Sequence, residues 1–173
     1  LGEFLGRPLF CFFAQRSDAG PRLSPLWFLW EDGAVWNVAR LNDRSYPERV
    51  RRYPQTTVAI VDFDPASGRV EHVGMRGEAT LEPYDSALAE RLFRKYLGED
   101  RTAWPEMFVD FDTDNYRLIK FTPETVVARD QSYQAPTGAV RRRWLRTHPQ
   151  SVIQRTGPSP SRVSQPFLPN AAV

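Results

Sequence analysis

Five arginines crowd into residues 40–52, Arg40, Arg44, Arg49, Arg51 and Arg52, around the hydrogen-bonding residues Asn42 and Ser45. A guanidinium presents a planar fork of donors that matches phosphate or carboxylate bidentately. Pro47 suits the first turn of a helix, where its missing N–H leaves nothing unpaired. The N-terminus of that helix adds partial positive charge on the same side. Cations gathered at one rim suit an anionic ligand, and capture of an anionic group is the chemistry implied.

Arginine abundance alone does not establish this. Of 23 basic residues only Lys95 and Lys120 are lysine, a bias that suits a GC-rich genome as well as phosphate binding. Other reactive side chains are sparse. Cys11 is the one cysteine and lies in an apolar run, so it reads as a buried hydrophobe with no disulfide partner in the chain. His72 and His148 are far apart and lack a nearby acidic cluster, a poor pattern for a metal. No Walker loop, dinucleotide-binding glycine pattern or nucleophile elbow is present. No general acid or base can be assigned.

The elements that must position these residues are mostly strands. Residues 9–14 form an apolar aromatic run, and turn chemistry at 17–21 leads into a second strand over 22–30. Pro25 demands an edge or a bulge there, because proline cannot donate to a ladder. Asp32-Gly33 closes a tight hairpin onto a third strand over 35–39. The basic helix should stop before Pro54, and β-branched 57–61 reads as a buried strand. A long strand over 70–81 carries Gly74 and Gly77, which mark a bulge or a close approach.

Residues 86–97 switch to a helical period, with Leu88, Leu92 and Tyr96 on one stripe, Ser86 as cap and Gly98 as stop. A short helical turn is expected over 104–109, then strands over 116–121 and 125–128 joined by a turn at Thr122-Pro123-Glu124. Two units follow: a domain over 1–130, and a Pro-rich extension over 131–173 in which Arg141 to Arg146 is the segment expected to dock. At 173 residues and 41% apolar composition, one packed domain is the natural solution. No apolar run of about 18 residues is present, so no transmembrane helix is expected. The N-terminus lacks a signal-peptide layout, and a cytoplasmic protein is the default expectation.

The segments Gly20-Pro21-Arg22-Leu23-Ser24-Pro25-Leu26-Trp27-Phe28, Glu31-Asp32-Gly33-Ala34-Val35-Trp36, Arg51-Arg52-Tyr53-Pro54 and Gly77-Glu78-Ala79-Thr80-Leu81 occur in an order that resembles the pyridoxamine-phosphate-oxidase-like family. The resemblance covers about residues 4 to 130 and implies a mainly β fold, the FMN-binding split β-barrel with flanking helices. It also implies a homodimer with a flavin-type cofactor at each of two sites between subunits, FMN or, in some relatives, the deazaflavin F420. The activity implied is that of an oxidoreductase acting on a small organic substrate. By the same resemblance, backbone groups of Leu26, Trp27 and Phe28 contact the ring. Val38, Ala39 and Arg40 approach the ribityl-phosphate end, and Asn42, Arg44, Ser45 and Arg49 surround the phosphate. Strand alternation lets at most one of Trp27 and Phe28 face a ligand.

The family's Ser–Arg–Lys-like triplet is incomplete here, because Ser45 or Tyr46 stands where the lysine belongs. A cofactor-free split barrel that carries or senses another ligand is therefore the alternative. Nucleic-acid binding through Arg49, Arg51, Arg52 and the run from Arg141 to Arg143 ranks last, since the formal net charge is only +2.

Overall fold

A computed structural model describes residues 1–41, 46–110 and 112–134. Helix α1 (Gly2–Gly6) leads into β1 (Cys11–Gln15), β2 (Arg22–Leu26), β3 (Leu29–Glu31) and β4 (Ala34–Arg40). Then come α2 (Tyr46–Arg52), β5 (Gln55–Asp64), β6 (Arg69–Glu82), α3 (Ser86–Leu97) and β7 (Tyr116–Asp130), with three short 3₁₀ turns between α3 and β7. The seven strands form one antiparallel sheet in the order β2-β1-β5-β6-β7-β4-β3.

The two edges of this sheet, β2 and β3, are separated in sequence only by Trp27 and Phe28. Such a link spans at most about 11 Å, so the sheet must curl until its edges nearly meet. The barrel is closed by covalent connection rather than by a ladder, and a seam remains between β2 and β3. This corrects the expectation of one strand over residues 22–30. The first half pairs with β1 and the second with β4, so the chain changes neighbours at the dipeptide.

The barrel interior is filled by Phe13, Phe28, Ile60, Met75 and Phe121, with Leu5 of α1 and Tyr46 and Val50 of α2 packed into the same cluster. A second apolar layer lies outside the sheet, where Leu88, Ala89, Leu92 and Phe93 of α3 cover Val38, Leu118, Trp104 and Phe108. The 3.6-residue period read from the sequence is the stripe that makes this contact. Asp85, not Ser86, caps the helix, its carboxylate accepting from the N–H groups of Ala87 and Leu88 at 2.8 and 3.1 Å. Gly98 ends it with φ +88°. Asp32 and Gly33, with φ of 52° and 72°, form the expected tight turn.

Strand β7 runs without the expected turn at Thr122-Pro123-Glu124. The β6–β7 register shifts between Arg76 and Gly77, so that Gly77 faces Pro123 while Arg76 faces Thr125. The bulge absorbs the donor that proline lacks. Helix α1 was not foreseen. The strand expected over 57–61 runs the full length of β5. Backbone hydrogen bonds continue past residue 130, from Gln131 N to Val70 O and from Tyr133 N to Gly68 O. The segment from Arg141 to Arg146 lies outside the described residues.

Candidate functional site

Strand β3 pairs only with Ala34 to Trp36 of β4, which leaves Asn37 to Arg40 without a strand on the seam side. The free edge of β2 lies across this opening, and Pro25 sits there, where a missing donor costs nothing. Helix α2 lies over the gap. Its Tyr46 hydroxyl donates to Val38 O at 3.3 Å, and Arg49 Nη2 donates to Ser24 Oγ at 3.1 Å. Burial, and then the neighbouring Arg22 charge, lower the pKa of the Arg49 guanidinium. Two like charges on one strand edge create a positive potential that an anion would relieve.

Arg22 and Ser24 share the inner face of β2, and Arg22 stands opposite Gln15, which in turn stands opposite Thr56. A cleft of about 750 Å³ adjoins this row and is lined by Gln15, Arg16, Thr56 and Arg76, among others. Arg22, Ser24 and Arg49 thus place two cations and a hydroxyl at one end of the seam, beside a cleft that also carries the carboxylates Asp18 and Glu124.

The other end is held by side chains that replace a ladder. Asn37 Nδ2 donates to Trp27 O at 2.7 Å, and Phe28 N donates to the Tyr96 hydroxyl at 3.0 Å. That hydroxyl donates to Leu9 O at 2.6 Å. Lys95 Nζ donates to Phe28 O at 3.0 Å and to Leu5 O at 2.9 Å, with its ammonium 3.5 Å from the Phe28 ring centroid. Burial pushes the Lys95 ammonium down to about 8. Trp27 is sandwiched: its ring stacks on Tyr96 at 4.5 Å and on Phe108 at 5.5 Å.

Phe28 offers no free ring face, being fully buried in the barrel, while Trp27 is half-buried against its two stacking partners. Leu26, Val38 and Ala39 are also buried, so any contact they make with a ligand is through main chain. Arg40 is exposed at the end of β4, and Arg49 is brought to the seam. Asn42, Arg44 and Ser45 lie outside the described residues. Cys11 is fully buried and its thiol is pushed up to about 12 by burial, which makes it inert. Among the described residues no group of three His, Cys, Asp or Glu could hold a metal.

Sequence reasoning missed Arg22, Ser24, Lys95 and Tyr96 as site residues. The i, i+2 spacing of Arg22 and Ser24 on an edge strand was the available signal. Lys95 and Tyr96 gave none, because their role depends on where α3 lands.

No family model and no curated protein matches the chain. Among solved structures, an F420 reductase matches at 21% identity and TM-score 0.57, over 72% of this chain and 94% of that one. A conserved hypothetical protein from Mycobacterium tuberculosis matches at 16% identity and TM-score 0.64, over 81% and 91%. A pyridoxamine 5'-phosphate oxidase-type protein from Listeria innocua matches at 21% identity and TM-score 0.52, over 72% and 89%. The chain therefore has the split β-barrel fold of the pyridoxamine 5'-phosphate oxidase-like proteins.

Proposed function

We propose that this protein binds a flavin-type cofactor, FMN first and F420 as the alternative, along the free edge of β2, and acts as an oxidoreductase on a small organic substrate. The observation that carries the reading is the Arg22–Ser24–Arg49 cluster at the seam, in a fold whose solved neighbours include an F420 reductase. The cluster supplies the cationic character that the absent lysine would have given. Arg40, with Asn42, Arg44 and Ser45 that follow it in sequence, would complete the phosphate site. The cofactor supplies the redox chemistry, while the chain binds, orients and shields it.

The Trp27-Phe28 end of the seam lies roughly 15 Å from Arg22 along the strand, the length scale that separates a terminal phosphate from a tricyclic ring. An absorbance spectrum before and after addition of FMN or F420 tests the reading. Loss of the exposed Arg22 in Arg22→Ala should weaken FMN binding by about 2 kcal/mol, roughly 30-fold in Kd. Arg49→Ala should do the same, with a thermal melt to separate affinity from folding. Unchanged Kd values in a fluorescence titration would move the anion site elsewhere.

The reading includes a homodimer. On the outer face of the sheet, Pro25, Phe12, Ala59, Gly74 and Val127 stand opposite one another across five strands. Leu23, Phe63 and Val127 flank or end this row at 61%, 58% and 50% exposure. The small residues at its centre allow a second sheet to approach to about 10 Å. Gly74 offers a clean test, because a Cβ there meets nothing within 4 Å. Gly74→Arg should leave the barrel folded and convert a dimer to a monomer in light scattering. A variant that keeps the wild-type mass would overturn this interface.

A second reading, a cofactor-free carrier or sensor, is favoured by one feature. Trp27 O, Phe28 N and Phe28 O are already engaged by Asn37, Tyr96 and Lys95. A colourless protein that binds neither cofactor would establish it.

A further inference from the structure

Among the described residues, the charge pinned at the ring end of the seam belongs to Lys95. Its Nζ is fixed between two carbonyls, those of Leu5 and Phe28, and over the Phe28 ring. Burial is the larger influence on its charge and the Cys11 thiol the smaller, and no carboxylate contributes. The groups beside it are neutral: the Cys11 thiol is pushed up to about 12, and burial raises the Tyr96 hydroxyl as well. An ammonium that two carbonyls and an aromatic face hold in place, in a half-buried site, projects its field further than a solvated one. Lys95 is also one of only two lysines among 23 basic residues, and the other, Lys120, lies over Trp36.

We infer that Lys95 is an electrostatic tuning residue of the cofactor site, favouring the negative charge that a ring lying against Leu26 to Phe28 gains on reduction. The inference rests on the flavin-type reading above. The charge arises by stoichiometry: a hydride donor, such as an alcohol or a reduced nicotinamide, transfers one proton and two electrons and is itself oxidised. The acceptor gains one negative charge until a proton from solvent neutralises it. Lys95 transfers nothing in this account. It lowers the energy of the charged product relative to the oxidised form.

The test uses the full chain loaded with FMN, and with F420 where FMN does not bind. Dithionite titration against reference dyes reads the midpoint potential, and fluorescence titration reads Kd of the oxidised form. Lys95→Gln keeps a donor for the carbonyls and removes the charge. Lys95→Met removes both, and Lys95→Arg retains the charge. The expected result is about a tenfold loss of preference for the reduced cofactor in Lys95→Gln and Lys95→Met, about 30 mV for a two-electron couple. Lys95→Arg should restore most of it. Should Lys95→Met fail to fold, Lys95→Gln and Lys95→Arg carry the comparison alone. A loaded Lys95→Gln chain with an unchanged potential overturns the inference and leaves cofactor binding intact. A wild-type chain that binds neither cofactor overturns both.

Discussion

Replacing Gly77 by alanine should lower the stability of the barrel by about 3–5 kcal/mol. The methyl group would lie 2.1 Å from Thr122 O, 2.9 Å from Pro123 Cα and 3.0 Å from Glu124 N. All three are main-chain atoms of β7, so no side chain can swing aside. Relief requires the longest ladder of the sheet to separate at its bulge, where the register already shifts. Against a typical domain stability of 5–15 kcal/mol, the loss corresponds to roughly 10–20 °C in Tm. Urea denaturation of both chains measures it. The control is Gly74→Ala on the same strand, where a Cβ meets nothing within 4 Å and little change is expected. Equal stabilities for Gly77→Ala and Gly74→Ala would show that β7 does not hold the observed register.

Tyr96→Phe should cost about 2–4 kcal/mol. The substitution keeps the ring that stacks on Trp27 at 4.5 Å and an interplanar angle of 2°. It removes only the hydroxyl, which accepts from Phe28 N and donates to Leu9 O. Both main-chain groups then lose a partner in a part-buried position, where each unsatisfied group costs about 1–3 kcal/mol. Lys95 still holds Phe28 O, so the effect isolates one oxygen. Equilibrium unfolding gives the magnitude, and faster amide exchange at Phe28 gives the location. A change below about 0.5 kcal/mol would mean that water replaces the hydroxyl at the seam.

Both effects arise where the sequence was read unevenly. The close approach at Gly77 was legible from a glycine within a strand, though Gly74, read the same way, meets nothing within 4 Å. Helix α3 was legible except at its cap, which is Asp85 instead of Ser86, since its apolar stripe and Gly98 stop are local signals. The break at Trp27-Phe28 was not. Nothing in that dipeptide is turn chemistry, and the change of neighbours follows only from curling of the whole sheet. Pro123 misled in the opposite sense: a proline beside threonine and glutamate reads as a turn, yet a bulge in its own strand at Glu124 accommodates it. The cationic site was half legible. Arginine density pointed to Arg49, but Arg22 and Ser24 join it only because α2 folds over a strand edge more than twenty residues earlier. Lys95 and Tyr96 reach the site from the opposite side of the sequence, through tertiary packing alone.

The two-residue connection between the sheet's outermost strands also acts as a built-in spacer. Each residue inserted between Leu26 and Leu29 would let the lips of the cleft part by about 3.3 Å, while every ladder elsewhere stayed in register. Ligand size in such a scaffold is thereby separable from its core, and a graded series of insertions offers a way to re-gauge the opening without redesigning the walls.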